Sequence, residues 1–526
     1  MESERGPRAS ASTWIVLGLT LLAACLRFYR LTNQSIWVDE AFTIKYARLF
    51  TEMHWSWLTD DLHGPFHSVL LHGWASLFGT GEFALRAMEA VLGTLAVPAF
   101  YWALRPLQRP TTALLAVGLL AINPFHIWYS QELRNYDLFI LVGILTTGAF
   151  ARVLQREHRY GALYGALTTL GFLSNLAHLF TVVAQGLVQV FRGGKGRGEW
   201  RGLILSWGLS LLLLSPWIYG FYSHRIVESR ALEARSVPAE ERLRGETTAP
   251  VIGIPYCYFV YSVGYSYGPS LRELRGLHQS MGMGPLRRHA PQLALAGVIF
   301  GFLAIVGVIR VWRFGLPGRV WLVLLLVPVL LTYATALRNL KVFNPRYASA
   351  ALPPYMLVLA EGILAARNRR LRFAAAGALL IPTGMSLSNH YFDDAYAKDD
   401  ARSASTFLRE RVEPGDLVFV IGTDEPLHRY YWRGIRENPD GITKGDVGYW
   451  WDRPRAEQFV LFEELRAEHD DAYVLLLRDH FVDPAGEWRQ YLNKWHTPTR
   501  REVYPGSEVW SLPSQTQTDA TTGTGQ

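Results

Sequence analysis

The first apolar run of the chain is TWIVLGLTLLAACLRF (residues 13–28), and it is followed by IWVDEAF (residues 36–42). Charged side chains are costly beside hydrocarbon, so acidic residues at the edge of a membrane span point to a function. We therefore expect Asp39 and Glu40 to lie at a membrane boundary and to belong to a functional site.

The composition around this stretch indicates a polytopic membrane protein. Of the 526 residues, 50% are hydrophobic and only 18% are charged, which is too apolar for a large soluble enzyme. The two cysteines, Cys25 and Cys257, cannot build a disulfide framework. The net charge of +7 comes from short basic clusters between apolar runs, a pattern that fits membrane topology and not nucleic-acid binding.

Apolar runs recur along most of the chain and predict about eleven membrane crossings. They cover residues 13–28, 85–104, 111–123, 138–153, 160–174, 176–191, 203–222, 292–309, 320–337, 348–366 and 373–388. Arginine clusters follow alternate runs, and short basic loops stay in the cytoplasm. This register places the amino terminus inside and the Asp39 loop, the Glu132 loop, the long loop 223–290 and the carboxyl-terminal region outside.

The first external loop, residues 31–84, contains a run that resembles a span but is too short to be one. Residues 65–78 put their apolar side chains on one helical stripe, and about fourteen residues cannot cross a bilayer. We expect an amphipathic helix in the outer interface there, and a second one starting near Phe42.

The pattern changes after the last span. Residues 401–411 read as a polar helix, and 417–421, 472–477 and 508–512 read as strands. The expected fold is thus an α-helical polytopic membrane protein (residues 1–389) with a small extracytoplasmic α/β domain (residues 390–513). The tail, residues 514–526, has no apolar content and is expected to be disordered.

A set of short motifs then makes a family resemblance specific. In chain order they are WVDEA (37–41), HGPF (63–66), FGTGEFALR (78–86), WYSQELRNY (128–136), NPRY (344–347), YAKD (396–399) and PGD (414–416). Together they resemble the bacterial membrane glycosyltransferases related to protein O-mannosyltransferases and to the aminoarabinose and galacturonic acid transferases of lipid A, a group similar to glycosyltransferase families 39 and 83.

The resemblance implies a class C glycosyltransferase fold, a polyprenyl-phosphate sugar donor and a catalytic aspartate in the first external loop. By position that aspartate is Asp39. Protein O-mannosyltransferases usually carry His-Pro-Pro where this chain has His63-Gly64-Pro65, which weakens the case for protein mannosylation in particular.

The chemistry of such a transfer explains the other residues. An acceptor hydroxyl must lose its proton as it attacks the anomeric carbon, and Asp39 is the expected general base. The leaving phosphate needs cations, for which Arg346 is the best placed, with Lys341, Arg338 and Arg134 behind it. One base without a covalent nucleophile implies inversion, whereas Glu40 and Glu132 leave retention open.

Several of these residues also have purely structural interpretations. Asp39 can cap a helix, Glu132 and Arg134 can anchor a helix end, and Arg346 with Tyr347 can be a pair that reaches to the interface. For His63 the sequence leaves three alternatives open: contact with the donor, orientation of its loop, or neither. His178, near Asn175, resembles a site histidine of the family, although a lone polar residue at a membrane turn can also satisfy backbone groups.

No metal or cofactor is expected, although Asp39, Glu40 and Glu132 offer the oxygen ligands that Mg²⁺ or Mn²⁺ prefers. The expected partners are a polyprenyl-phosphate sugar, the bilayer of the inner (plasma) membrane, and a lipid, glycan or protein acceptor. The sequence leaves the sugar open, hexose or pentose.

Two functions of another class remain as alternatives. A transporter or lipid flippase also has many spans, but it would bury charges within them and often show repeated halves. In this sequence the acids are expected outside the spans. A non-catalytic partner in envelope assembly would look almost the same as an enzyme, and an intact Asp39 argues against it.

Overall fold

The computed structural model describes residues 11–49, 64–155, 157, 159–191, 197–234, 252–274, 284–338, 343–413, 415–422, 430–431, 454–479, 482–483 and 485–513. The chain divides into two compact units. The membrane unit comprises Met1–Leu31 and Tyr46–Phe392, and the α/β unit comprises Thr32–Lys45 and Asp393–Gln526.

Helices, most of them apolar, build the membrane unit. They are α1 (Ala11–Phe28), the end of α2 (Val38–Leu49), α3 (Phe66–Phe78), α4 (Glu82–Leu104), α5 (Pro110–Ala121), α6 (Pro124–Ser130), α7 (Tyr136–Leu154), α8 (Tyr160–Ser174), α9 (His178–Phe191), α10 (Arg197–Ala234), α11 (Gly253–Val263), α12 (Gly284–Arg288), α13 (Ala290–Arg313), α14 (Leu316–Leu337), a 3-10 helix (Pro345–Ala351), α15 (Leu352–Leu364) and α16 (Arg369–Phe392). The short helix predicted for residues 65–78 is confirmed as α3.

The number of helices that can cross a membrane is lower than the sequence analysis expected. By length and composition, 8 helices of the described residues qualify, or up to 9 if the bent pair α5 and α6 counts as one broken span. The difference arises because α8 and α9 contain only 15 and 14 residues. A straight crossing needs about 20 residues, so these two are short for one.

The break between α5 and α6 follows from two residues. Pro124 occupies the first turn of α6, and a proline disfavours helical backbone at the residue before it. That residue is Asn123, whose side-chain oxygen accepts a hydrogen bond from the His126 N–H at 2.9 Å and caps α6. The two helices therefore meet at 54°.

The prediction that the acids lie outside the spans is wrong. Glu89 in α4, Asp137 in α7 and Glu361 in the continuous stretch Pro345–Leu364, which joins the 3-10 helix to α15, are all buried within stretches long enough to cross. Each has a polar partner: Glu89 pairs with His67 at 2.6 Å, Asp137 with His126 at 3.5 Å and Glu361 with Arg310 at 2.6 Å. One acid in an apolar helix barely changes its mean hydropathy, so sequence patterning could not reveal these buried pairs.

Two glycines allow α13 and α15 to pack backbone against backbone. A Cβ on Gly307 would overlap the carbonyl oxygen of Val358, and a Cβ on Gly362 would overlap that of Leu303. Small residues commonly permit such close approach of membrane helices, where apolar burial against lipid gives little driving force.

We expect Gly307→Ala to destabilise the membrane unit by about 1–3 kcal/mol, because the added methyl must push the helices apart. Gly301 lies in the same helix with nothing within 4 Å of its added Cβ, so Gly301→Ala is the matched control. It should be neutral or stabilising, since alanine favours helix. Thermal unfolding of the purified proteins in detergent measures both, and equal midpoints would contradict the packing described here.

The α/β unit contains a four-stranded sheet with helices on both faces. Its further elements are α17 (Ala401–Arg409), β1 (Leu417–Gly422), α18 (Arg455–Ala467), β2 (Ala472–Leu477), α19 (Glu487–Trp495), β3 (Arg500–Tyr504) and β4 (Ser507–Leu512). The order is β1-β2-β4-β3, with β1 and β2 parallel and the other two pairs antiparallel. A parallel pair needs a crossover connection, and α18 lies in it.

Side chains alternate between the two faces of this sheet, as strand geometry requires. Val418, Leu475 and Val509 pack with α17, whereas Phe419 and Trp510 belong to the core on the other face. The predicted helix and the three predicted strands are confirmed within two residues at their ends. The sequence analysis missed β3, whose side chains are largely exposed, together with α18 and α19.

Candidate active site

Asp39 lies in the first turn of α2, where Glu40 provides the capping interaction. Glu40 is the third helical residue, and its Oε2 accepts a hydrogen bond from the N–H of Trp37, the residue before the helix, at 3.3 Å. This is one half of a capping box. Glu40 is completely buried, whereas Asp39 is partly exposed. The hydrogen bond to the backbone at this helix start therefore comes from Glu40.

A second group of predicted residues meets in the membrane unit, around Glu132. Its side chain is buried, and its Oε2 accepts a hydrogen bond from the Trp128 indole N–H at 3.1 Å. Glu132 and Arg346 both lie within electrostatic reach of Tyr129 and Tyr265. The structure thus brings the predicted acid and the predicted cation to one aromatic cluster.

Arg346 is held by its own local structure. It follows Asn344, whose side chain accepts a hydrogen bond from the Arg346 backbone N–H at 3.1 Å and so starts the 3-10 helix. The guanidinium carbon lies 5.4 Å from the ring centroid of Tyr136 and 5.3 Å from that of Tyr347, and Nη2 donates to the Tyr347 hydroxyl at 3.3 Å. Stacking between aromatic rings suits a guanidinium and orients its donors.

Tyrosine hydroxyls extend this cluster. The hydroxyl groups of Tyr129 and Tyr265 are 3.0 Å apart, and that of Tyr265 donates to the Asn344 side-chain oxygen at 3.5 Å. A carboxylate, a guanidinium and several phenolic hydroxyls in one place can bind a phosphate together with the hydroxyls of a sugar.

A buried arginine in α1 positions the helix that leads to Glu132. Arg27 donates to the carbonyl of Ala121 at 3.0 Å and to Ser130 Oγ at 3.1 Å, and its Nη2 lies 2.7 Å from His126 Nδ1. Since an arginine can only donate, Nδ1 of His126 accepts, and the ring proton is on Nε2. That nitrogen faces Asp137 Oδ1 at 3.5 Å. Arg27 therefore joins the ends of α5, α6 and α7.

The remaining predicted residues lie elsewhere or beyond the described residues. The His178 ring is completely buried beside Phe139 and Phe172, at centroid distances of 6.3 and 5.6 Å, and a Cβ on Gly171 would overlap it. These two neighbouring rings do not belong to the aromatic cluster around Glu132. Arg134 lies two residues after Glu132 in the chain, and its side chain is partly exposed. His63 and Lys341 lie outside the described residues.

Sequence reasoning missed two contributors to this cluster. Tyr265 falls in the stretch expected to be the external loop 223–290, where the structure has the buried helix α11. The apolar run of residues 253–263 was a signal for that helix, but it is too short to count as a span. Arg27 was read only as the end of the first span.

The chain is similar to known proteins in sequence and in fold. A family model described as dolichyl-phosphate-mannose-protein mannosyltransferase matches residues 62–219. The curated protein dolichyl-phosphate-mannose–protein mannosyltransferase 4 of Saccharomyces cerevisiae is 28% identical over 161 residues, which are 27% of this chain and 20% of the yeast protein. The chain thus spans about a fifth of the length of that relative.

Two solved structures match nearly the whole chain. ArnT from Cupriavidus metallidurans in the apo state gives a TM-score of 0.57 at 13% identity, covering 95% of this chain and 98% of ArnT. The oligosaccharyltransferase AglB from Archaeoglobus fulgidus, in complex with an inhibitory peptide and a dolichol-phosphate, gives 0.56 at 14% identity, covering 96% of this chain and 74% of AglB. At these identities the likeness shows the fold, and the expected class C fold is confirmed.

Proposed function

We infer that this chain is a membrane glycosyltransferase of the mannosyltransferase-like group, and that it takes its sugar from a polyprenyl-phosphate donor. The family-model match and the class C fold support the general activity. ArnT has also been solved bound to undecaprenyl phosphate, with a TM-score of 0.53 to this chain. The observation that carries the donor proposal is Arg346, stacked against Tyr136 and Tyr347 in the cluster that contains Glu132.

In the proposed reaction, an acceptor hydroxyl attacks the anomeric carbon of the lipid-linked sugar. Asp39 takes the hydroxyl proton as the new carbon–oxygen bond forms. The bond from the anomeric carbon to the phosphate oxygen breaks, and its electron pair leaves with the polyprenyl phosphate. Arg346 stabilises the charge that develops on that phosphate. One displacement step inverts the anomeric configuration, and no cofactor is required.

The remaining features of the proposal follow from where such a donor is found. A site facing away from the cytoplasm has no nucleotide sugars, so an activated sugar has to arrive on a lipid carrier. We propose that the reaction takes place on the extracytoplasmic face of the inner (plasma) membrane, with a hexose or pentose as the sugar. The acceptor is a hydroxyl on a lipid, glycan or protein.

Transport is the second candidate, and a specific observation favours it. The buried pairs of Glu89 with His67 and of Asp137 with His126 are the kind of intramembrane ionisable groups that occur on transport pathways. The same pairs link α3 to α4 and α6 to α7, which explains them as contacts between packed helices without transport.

One assay decides between the two candidates. The purified protein in detergent is incubated with a panel of polyprenyl-phosphate hexoses and pentoses and a pool of envelope lipids and glycans as acceptors. The expected result is release of polyprenyl phosphate with one donor class, at a rate that depends on acceptor. A protein that is folded but releases no polyprenyl phosphate from any donor would overturn the enzyme assignment and favour transport or assembly.

Arg346→Gln is expected to lower kcat/KM for the lipid-linked donor about 10²-fold, because it removes a cation aimed at the developing phosphate charge. Arg346→Lys keeps the charge but loses the planar stacking, so it should recover only part of the activity. Arg313→Gln, at an exposed helix end, removes the same charge as a control. Initial rates of polyprenyl phosphate release measure all three, and a wild-type rate for Arg346→Gln would contradict the assignment.

A further inference from the structure

The segment that carries Asp39 is grouped with the α/β unit, not with the membrane helices that flank it in sequence. Thr32–Lys45 and Asp393–Gln526 form one compact unit. Three basic residues and one tyrosine of the carboxyl-terminal part contact this segment, namely Lys398, Arg402, Tyr431 and Arg478.

Arg402 holds the backbone of the segment just ahead of α2. Its Nη2 donates to the carbonyl oxygens of Thr32 at 2.9 Å and of Gln34 at 2.8 Å. Its own backbone N–H donates to Ser35 Oγ at 3.2 Å. One side chain therefore fixes two carbonyls that are two residues apart, and it sits in the first turn of α17, which is packed on the sheet.

Tyr431 fixes the next residue of the segment. The backbone N–H of Ile36 donates to the Tyr431 hydroxyl at 2.8 Å. Ile36 is completely buried. The chain is thus held at successive positions up to Trp37, the residue that directly precedes α2.

Trp37 itself lies between two cations. Lys398 Nζ is 5.6 Å and the Arg478 guanidinium carbon 5.3 Å from its ring centroid. Lys398 also approaches the buried Glu40 carboxylate at 4.0 Å, and Arg478 Nε contacts Asp399 Oδ2 at 3.3 Å. Cation–ring contacts of this kind stabilise most when the groups are withdrawn from water.

The backbone of Arg478 has a left-handed conformation. It has φ 53°, and apart from Arg30 it is the one non-glycine residue of the described chain with positive φ. Its N–H donates to the carbonyl of Gly506 at 3.3 Å. A left-handed conformation at a residue with a side chain persists where the surroundings impose it, and such residues gather at functional sites. Arg478 follows directly after β2, an interior strand, so the end of that strand positions its side chain.

We propose that the α/β unit serves to hold the Asp39 carboxylate in place, with Arg402, Arg478 and Lys398 as positioning residues. The proposal rests on the proposed function, in which Asp39 is the base. In this role Arg402, Arg478 and Lys398 take no part in the proton transfer. They act through the backbone of Thr32–Lys45 and the ring of Trp37, and a base that is misplaced by about 1 Å loses much of its rate.

The test combines hydrogen exchange with kinetics on the full-length protein. Arg402→Ala is expected to raise amide exchange in the peptide covering residues 32–45 at least about tenfold, because the local structure opens more often. Arg478→Gly removes the side chain but suits the positive φ, so the Trp37 and Asp399 contacts are lost without strain in the backbone. Both variants should lower kcat at least about tenfold with the donor KM within about twofold.

Two controls separate positioning from general damage. Arg402→Lys can still donate to the same carbonyls, so it should restore most of the exchange protection and the rate. Arg500→Ala removes a cation on β3 of the same unit, with a largely exposed side chain at 54%, and should change neither.

The outcomes are distinguishable. Unchanged exchange in residues 32–45 in Arg402→Ala and Arg478→Gly overturns the proposal, whatever the kinetics. Faster exchange with a wild-type kcat also overturns it, because the segment would then be held without being positioned for catalysis. If the wild-type protein transfers no sugar, the proposed function fails, and the exchange data still report whether the domain holds the segment.

Discussion

Asp39→Asn is expected to abolish sugar transfer while the protein stays folded. Asparagine matches aspartate in shape but cannot accept the hydroxyl proton, and the loss of a general base typically lowers the rate about 10²–10⁴-fold. The structure gives a reason to expect an intact fold, since the hydrogen bond to the Trp37 N–H that starts α2 is made by Glu40, which this change leaves in place. The rate of polyprenyl phosphate release, beside a thermal unfolding curve, measures both parts of this prediction.

Two further variants sharpen the test. Asp393→Asn changes an exposed aspartate of the same unit, whose side chain accepts a hydrogen bond from the Ala395 N–H, and asparagine keeps that hydrogen bond. It should leave the rate unchanged. Glu40→Gln keeps an oxygen acceptor for the Trp37 N–H but loses the charge beside Lys398, so it should be milder than Asp39→Asn. If Glu40→Gln is the inactive protein and Asp39→Asn turns over at the wild-type rate, the base has been misassigned.

The parts of this fold that sequence predicts are those set by local patterning. Hydrophobic length reveals the long helices such as α13 and α14, and alternation reveals β1 and β2, because both signals are carried by neighbouring residues. The same kind of local pattern predicted Asp39 at the start of a helix next to an apolar span. Its neighbour Glu40 then turned out to carry the capping hydrogen bond, a distinction that needs the side-chain geometry.

The parts that sequence does not predict depend on contacts between distant residues. Glu132 and Arg346 are far apart along the chain. Both lie near Tyr265, a residue that the hydropathy pattern assigned to a loop. The grouping of Thr32–Lys45 with a domain that begins at Asp393 is equally invisible along the chain. Buried charges such as Arg27 and Asp137 belong to the same class, because each is one residue in an apolar helix.

Replacing Arg27 is expected to lower the stability of the membrane unit strongly. Arg27→Met keeps an unbranched apolar stem but leaves the Ala121 carbonyl and Ser130 Oγ without their donor. It also removes the positive charge of Arg27, which interacts with the Asp137 carboxylate. Removing one partner from a buried ionic network costs about 3–5 kcal/mol, because the remaining charge stays in an apolar interior. We expect a low yield of folded protein and a greatly lowered unfolding midpoint in detergent.

The double variant identifies the source of that loss. If the uncompensated charge of Asp137 is the main cost, Arg27→Met combined with Asp137→Asn should recover part of the stability, by a coupling of about 0.5–3 kcal/mol. Arg30→Met removes an exposed arginine three residues further on, and it should change the midpoint little. A double variant no more stable than Arg27→Met would instead place the cost in the lost hydrogen bonds to the ends of α5 and α6. In either case the helix that leads to Glu132 loses its anchor, so a folded fraction that survives should also transfer sugar more slowly than the wild type.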